Sequence, residues 1–177
     1  MMTIGIDPGL ARCGYAVWPG TRSYTLTPEM VGYWRTDPGM GLDSKRIEAL
    51  ARAAGALFHV WGGHNLLLAL ETQHIRPDLP AGVGRSVLQV AQVAGAIRGV
   101  AETLGIPVVD VSPQRAKLAL TGKGDATKEE MLTAVERQYG LRLARSAEHA
   151  ADALGIAIAG ETLRRMALQP PQVCWRL

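Results

Sequence analysis

Two apolar segments of this chain each end in a carboxylate, a pattern that predicts strands with an acidic side chain at the tip. The first is Ile4-Gly5-Ile6-Asp7, followed at once by Pro8-Gly9, and the second is Leu66-Leu67-Leu68-Ala69-Leu70-Glu71. The second run is typical of a strand buried on both faces of a parallel sheet. Because Pro8-Gly9 favours a turn, Asp7 is predicted to lie at a strand tip, as is Glu71. If the two strands are neighbours, both carboxylates meet at one edge of the sheet.

The other elements follow from turn residues and apolar periodicity. Strands are predicted over residues 3–7, 12–18 and 24–35, and they are expected to be antiparallel. Further along, we predict a helix capped by Asp43 or Ser44, a strand over 66–71, a helix over 86–104 and a strand over 106–111. Three more helices follow: a short one opened by Ser112-Pro113, one from the capping box of Thr127 and Glu130 to Tyr139, and a last one over 147–167. This order predicts an α/β fold with a mixed sheet, three antiparallel strands followed by parallel strands, and helices on both faces.

Size and composition indicate one soluble domain. The chain has 177 residues, of which 47% are hydrophobic, and this is enough for one well-formed core. We expect a single domain over residues 1–168 and a tail over 169–177. Cys13 and Cys174 show neither metal-ligand spacing nor a disulfide framework, as in a reduced cytosolic protein. With no targeting segment or membrane span evident in the sequence, a cytoplasmic protein is expected.

The helix predicted over 86–104 is apolar nearly all round. One face of a sheet cannot cover that much apolar surface, so a second helix or a second subunit must cover the rest. The pattern leaves a helix of the same chain and a dimer interface open as alternatives.

Two further candidate ligands lie near the C-terminal end of the sequence. His149 and Asp152 stand at i and i+3, so they share one face at the start of the last predicted helix. Taken singly, each candidate has an ordinary structural explanation, such as a turn aspartate or a surface acid. Taken together with Asp7 and Glu71, whose charges repel each other at close range, they predict a metal site. An oxygen-rich set suits Mg²⁺ or Mn²⁺, and two such ions about 4 Å apart can activate water for phosphodiester hydrolysis.

A basic stretch lies between Glu71 and the last helix. Its cations are spread over a helix, a glycine-bearing loop and the start of the next helix, and they are Arg115, Lys117, Lys123 and Lys128. Such a stretch fits contacts to a phosphate backbone without base reading, and the net charge of +3 permits an anionic partner. A solvated charged loop is the alternative explanation.

Three separated motifs occur in the order found in one nuclease family. They are Gly5-Ile6-Asp7-Pro8-Gly9 with Gly14-Tyr15, then Leu70-Glu71, then His149-Ala150-Ala151-Asp152-Ala153-Leu154. Over about residues 3–160 the chain resembles the RuvC-type Holliday-junction resolvases of the ribonuclease H-like superfamily. The third motif carries Asp or His at its first ligand position in this family. The resemblance implies a ribonuclease H-like fold and a homodimer that nicks two strands of a four-way DNA junction symmetrically, with a branch-migration motor complex as a further partner.

The resemblance also implies residue roles. Asp7, Glu71, His149 and Asp152 would be the catalytic, metal-binding set. Residues 112–128 resemble the family's DNA-contacting stretch, so Lys117 and Lys128 would bind phosphate. Where the family usually has a phenylalanine that stacks on an unpaired base, this chain has His74, and we assign His74 and Arg76 to DNA binding as well.

Two other functions are compatible with parts of this pattern. One is a related nuclease of the same superfamily that acts on other branched DNA or on RNA, and the basic segment over 112–128 argues against the shorter RNA-directed type. The other is a junction-binding protein without catalysis. The complete set of candidate metal ligands argues against that function.

Overall fold

The computed structural model describes residues 1–21, 25–62, 65–72 and 83–168. The strands are β1 (Met2–Asp7), β2 (Arg12–Trp18), β3 (Val31–Arg35), β4 (Leu66–Glu71) and β5 (Val108–Val111), and the helices are α1 (Asp43–Val60), α2 (Val83–Thr103), α3 (Pro113–Thr121), α4 (Lys128–Tyr139) and α5 (Glu148–Leu168). His74, Arg76 and the tail over 169–177 lie outside the described residues.

The five strands form one mixed sheet in the order β3-β2-β1-β4-β5. β1, β2 and β3 pair antiparallel, whereas β4 is parallel to β1 and β5 is parallel to β4. The mixed sheet predicted from the sequence is therefore confirmed. In the register of β1 and β4, Ile6 is the partner of Leu70, so the next residues, Asp7 and Glu71, leave the sheet side by side.

The two faces of β1 contact different helices. Gly5 lies directly against α5, and strand alternation turns Thr3 and Asp7 to the same face. Ile4 and Ile6 are buried on the opposite face. α2 packs against β4 and β5, and α1 packs on α2. Helices thus cover both faces, as the sequence predicted.

The helix buried on nearly all sides is α5 rather than the predicted helix over 86–104. α5 packs on α3 and on β1, β2 and β4, and eleven of its residues between Ala150 and Glu161 are buried. Among the α2 side chains that the structure describes, the buried apolar ones are Val93, Ile97 and Ala101, whereas Leu88 is 59% exposed. The small residues of α5 permit close contact on every side, which apolar periodicity alone does not reveal. Within the described ranges, no helix is both long and apolar enough to cross a membrane.

Some element boundaries differ from the prediction for local reasons. The third strand begins at Val31, because Pro28–Met30 forms a 3₁₀ turn instead. The N-cap of α1 is Leu42, which provides no side-chain cap, and Asp43 instead bonds Arg46 and Gln89. The caps predicted for the later helices are confirmed, with Ser112 bonding Arg115 and Thr127 forming a capping box with Glu130.

Candidate active site

The structure brings three of the four predicted ligands into one cluster. Asp7 ends β1, while His149 and Asp152 lie in the first turns of α5. One ligand atom from each residue lies within 4.8 Å of the other two. The closest contact joins His149 Nδ1 to Asp7 Oδ2 at 2.7 Å. Two carboxylates and an imidazole, all half-buried, therefore converge at the strand tip.

Two strand glycines allow α5 to reach this position. A Cβ on Gly5 would lie 2.1 Å from the carbonyl oxygen of Ala153, and a Cβ on Gly14 would lie 2.0 Å from that of His149. Both distances are far below the 3.0 Å that real Cβ atoms keep, so a residue without a side chain is required. Gly14 is also the register partner of Asp7. The glycine contact therefore sets the position of His149 relative to Asp7.

The far end of α5 is held by a buried carboxylate. Glu161 is only 4% exposed and accepts hydrogen bonds from Thr3 Oγ1, from Arg164 and from Arg165. Because Thr3 lies on β1, this network ties the helix to the strand that carries Asp7. α5 is thus fixed to β1 at both ends.

The turn after Asp7 is anchored by a second buried network. Thr36 Oγ1 donates to the carbonyl of Leu10, and the Thr36 amide donates to the carbonyl of Ala11 at 3.1 Å. Arg46 Nε in turn donates to Thr36 Oγ1 at 3.0 Å. The loop that leaves the candidate site is therefore bonded to Thr36, directly after β3, and Arg46 of α1 holds Thr36 in turn. These bonds restrict the backbone next to Asp7.

Glu71 extends the site from the neighbouring strand. It does not belong to the group of three whose ligand atoms lie within 4.8 Å of one another, but it interacts with two of them. Burial, followed by the charge of Asp7, raises the pKa of Glu71 to about 8, and Asp152 adds to this, whereas Lys117 opposes it. Next to it, the Thr72 amide donates to the Val111 carbonyl at 2.8 Å and secures the end of β4.

The donor set fits a divalent cation. Burial, with the charge of Asp7, raises the pKa of Asp152 to about 6. The hydrogen bond to Asp7 raises the pKa of His149. Without a cation, protons on these groups compensate the crowded negative charge, and a bound cation would replace them. Carboxylate oxygens with one imidazole suit hard divalent ions such as Mg²⁺ and Mn²⁺.

In protein held in excess chelator, stability is expected to fall as the pH rises from about 5 to about 8. The pKa of Glu71 is raised from 4.5 to about 8 and that of Asp152 from 3.8 to about 6. Such groups stabilise the fold fully below their unfolded-state pKa values, and that contribution is lost as the pH rises through the folded-state values. The pKa of His149 is also raised, so its contribution to stability is lost in the same direction, as the pH rises. Melting temperatures measured across this pH range provide the test.

A matched variant separates this effect from other titrations. Glu71→Gln cannot ionise, so its melting temperature in chelator should fall less between the same pH values. Added Mg²⁺ should stabilise the unmodified chain more at high pH than at low pH, because the ligands must lose protons to bind it. Equal pH profiles for the two proteins in chelator would contradict the assignment of Glu71 to the cluster.

Four of the predicted DNA-binding cations belong to the described residues, and two of these four lie next to the cluster. Lys117 on α3 acts electrostatically on Glu71. Lys128 at the start of α4 acts on Asp7 and Asp152, and its Nζ lies 2.6 Å from Glu148 Oε1.

The other two cations have different surroundings. Lys123 Nζ bonds Glu130 Oε1 at 2.8 Å, the same side chain that completes the capping box of α4. Arg115 lines an apolar cavity between α3 and α5 together with Leu118 and Met166. The structure therefore brings Lys117 and Lys128 to the site but not Lys123 and Arg115.

Sequence reasoning missed two charged neighbours of the site. Glu148 bonds Lys128, and its Oε1 lies 3.9 Å from His149 Nε2. Arg12 Nη1 donates to the Ser146 carbonyl at 3.3 Å, just before α5. Glu148 could have been found in the sequence as an acidic residue in the first turn of the last helix, directly before the candidate ligand His149. For Arg12 the sequence offers only its closeness to Asp7.

Comparisons with known proteins agree in family and fold. The family model for the crossover junction endodeoxyribonuclease RuvC matches residues 3–160. The RuvC of Synechococcus sp. (strain WH7803) is 33% identical over 166 residues, which cover 90% of this chain and 97% of the relative. The RuvC of Leifsonia xyli subsp. xyli is 36% identical over 155 residues, or 88% of this chain and 71% of the relative.

Solved structures show the same similarity. T. thermophilus RuvC in complex with a Holliday junction substrate superposes with a TM-score of 0.76 at 28% identity, covering 94% of this chain and 96% of the other. The yeast mitochondrial Holliday junction resolvase Ydc2, with a TM-score of 0.52, 14% identity and coverage of 92% and 78%, shares the fold. The ribonuclease H-like fold expected from the sequence is confirmed. This chain belongs to the RuvC family of crossover junction endodeoxyribonucleases.

Proposed function

We propose that this protein resolves four-way DNA junctions by paired, symmetric, metal-dependent nicking. One observation carries the proposal: Asp7, His149 and Asp152 form a cluster at a strand tip, with Glu71 beside it, in a chain of the RuvC family. The T. thermophilus relative in complex with a Holliday junction supports the same substrate for this chain.

In this proposal Asp7, Glu71, His149 and Asp152 hold the catalytic cations, Mg²⁺ or Mn²⁺, with two ions in each site. Bound divalent ions supply charge stabilisation for the leaving oxyanion and lower the pKa of an attacking water. Asp7 orients the His149 ring through the 2.7 Å contact to Nδ1. Burial and the charge of Asp7 raise the pKa of Glu71 to about 8, so Glu71 holds a proton near neutral pH and would have to release it to solvent in order to hold a cation.

The protein is expected to cleave a synthetic mobile four-way junction but not a matched linear duplex. Each substrate, with a Y-fork and an RNA–DNA hybrid beside them, is incubated with Mg²⁺, with Mn²⁺ or with chelator. Paired nicks confined to the junction and abolished by chelator would support the proposal. Cleavage of the fork or the hybrid instead would indicate a related nuclease, and binding without cleavage would indicate a junction-binding protein.

Lys117 and Lys128 are proposed to bind backbone phosphates beside the cluster. Lys117→Ala is expected to weaken junction binding and to reduce the slope of log K against log salt concentration by about 1, the loss typical of one phosphate contact. Lys123→Ala should change the slope less, because the ammonium of Lys123 is paired with Glu130, the residue that completes the capping box of α4. Binding isotherms at several salt concentrations test this order. Equal slopes for Lys117→Ala and the unmodified protein would contradict the assignment.

A homodimer through α2 fits both the helix and the reaction. Leu88 on α2 is 59% exposed in the single chain, so apolar surface is left for a partner to cover. A two-fold dimer would present two identical sites, as paired cuts at a junction require.

A single nuclease domain over 1–168 is supported by the packing of the described helices around one sheet. A cytoplasmic, nucleoid-associated location and a branch-migration motor as partner are supported by the family resemblance.

A further inference from the structure

A second basic surface lies on the side of the candidate site away from α3. Arg12 is the first residue of β2 and Arg35 the last of β3, and the two are direct partners in the antiparallel register. Tyr33 is the partner of Gly14, the glycine that contacts α5. Because alternate residues share a face, Arg12, Tyr33 and Arg35 lie on the α5 face at the catalytic end of the sheet. We call these three residues the arginine patch.

The first arginine of the patch is held in place by its neighbours. Arg12 is half-buried, and its guanidinium carbon lies 5.9 Å from the centroid of the Tyr33 ring. Its Nη1 donates to the Ser146 carbonyl at 3.3 Å. The hydrogen bond from Lys128 is the main cause that lowers the pKa of Glu148, and the charge of Arg12 adds to it. The Arg12 guanidinium is thus fixed beside the turn that leads into the ligand-bearing end of α5.

The second arginine has no such support. Arg35 is exposed, and in the part of the chain that the structure describes its side chain forms no ion pair or hydrogen bond. The carboxylate nearest to it in the sequence, that of Asp37, accepts a hydrogen bond from the Gly39 amide instead. The Arg35 guanidinium is therefore available to a ligand.

The pairing of two arginines costs stability unless an anion binds between them. Like charges at directly opposed positions of an antiparallel pair are destabilising, and Arg12 and Arg35 occupy such positions. Guanidinium groups match the geometry of phosphate and bind it through two parallel hydrogen bonds. The chemistry of the patch therefore indicates a phosphate ligand.

The position of the arginine patch relative to the cluster indicates which phosphate of the DNA backbone it would bind. The β1 and β3 strands are separated by two strand spacings, about 10 Å, and Arg12 lies two residues, about 7 Å along β2, beyond the partner of Asp7. Lys117 acts on Glu71, which ends β4 on the other side of β1. A DNA strand with its scissile phosphate at the cluster would have Lys117 on one side and the patch on the other.

Building on the proposed function, we propose that the arginine patch binds a backbone phosphate next to the scissile phosphate, on the side away from Lys117. The patch would hold the cleaved strand against the site from β2 and β3, while Lys117 holds it from α3. Two separated phosphate contacts fix the direction of a strand across a site, which a single contact cannot do.

Arg35→Ala is the variant that tests the proposal, because an exposed side chain without partners in the described structure can be removed without loss of folding. It is expected to weaken junction binding about fivefold at low salt and to lower the salt slope by about 1. Arg35→Lys should recover part of the binding affinity and part of the salt slope, because lysine keeps the positive charge but lacks the planar guanidinium group. Binding is measured in chelator, so that cleavage does not interfere.

Arg52→Ala is the matched control. Arg52 is an exposed arginine on α1 that pairs with Glu48, and its removal changes the net charge equally. Equal salt slopes for Arg35→Ala and Arg52→Ala would overturn the proposal, and Arg12 would then serve only to support the Ser146 turn. If the unmodified protein cleaves junctions in that case, only the patch assignment is wrong. If it neither binds nor cleaves them, the proposed function fails and the patch assignment fails with it.

Discussion

Replacement of Asp7 by Asn is expected to abolish junction cleavage while leaving junction binding intact. Asp7 contacts His149 at 2.7 Å and belongs to the three-residue cluster, so its carboxylate is central to the cation site. Loss of an outer-shell partner of a metal typically costs about 10- to 100-fold in affinity or activity, and loss of a direct ligand should cost more. Asparagine keeps the shape of the side chain but not its charge. Cleavage rates and binding isotherms on the same junction measure the two effects separately.

Binding should be retained because the proposed phosphate contacts come from other residues. Lys117 and Lys128 remain, and removal of one negative charge next to the DNA can only reduce repulsion. The same change should stabilise the protein in chelator near pH 8, because the charge of Asp7 contributes to raising the pKa of Glu71 and of Asp152. Undiminished cleavage by Asp7→Asn would refute the site. Loss of binding together with cleavage would show that Asp7 acts on the fold instead.

The positions of Asp7 and Glu71 at the strand tips could be predicted because the sequence features that indicate them are local. An apolar run, a carboxylate and a turn residue stand within a few positions of one another at Asp7, and a longer apolar run ends at Glu71. The parallel pairing of β1 and β4 then brings them together, and the structure shows this pairing. Periodicity could place His149 and Asp152 on one helix face, but it could not place that helix against β1. The order of motifs shared with a nuclease family supplied that step.

The contacts that position α5 could not be predicted from the sequence. Gly5 and Gly14 look like ordinary strand glycines, and the close approach of α5 appears only in three dimensions. The pairing of Lys128 with Glu148 joins residues 20 positions apart on different helices. The sequence patterns of α4 and α5 do not indicate that these two residues form an ion pair. Local pattern therefore predicted which residues have the right chemistry, and tertiary packing determined which of them meet.

Gly14 lies at the centre of the contact between β2 and α5. Gly14→Ala is expected to destabilise the protein by about 3 kcal/mol, the upper part of the usual range for overpacking, since its Cβ would lie 2.0 Å from the His149 carbonyl oxygen. For a chain of this size that corresponds to a loss of about 6–12 °C in melting temperature. Cleavage should fall about 100-fold, because a displacement of about 1 Å at a catalytic group has that cost.

A displaced helix and a general loss of folding have different signatures. If Gly14 acts by positioning α5, the folded variant should bind junctions normally through Lys117 and Lys128 while its cleavage rate at saturating enzyme falls. Gly55→Ala is the matched control, because a Cβ there would meet Val100 at an ordinary 3.4 Å and alanine favours the helix. Its cleavage rate should equal that of the unmodified protein. If Gly14→Ala also cleaves normally at an unchanged melting temperature, the contact with β2 does not position His149, and the other contacts of α5 must set the distance to Asp7.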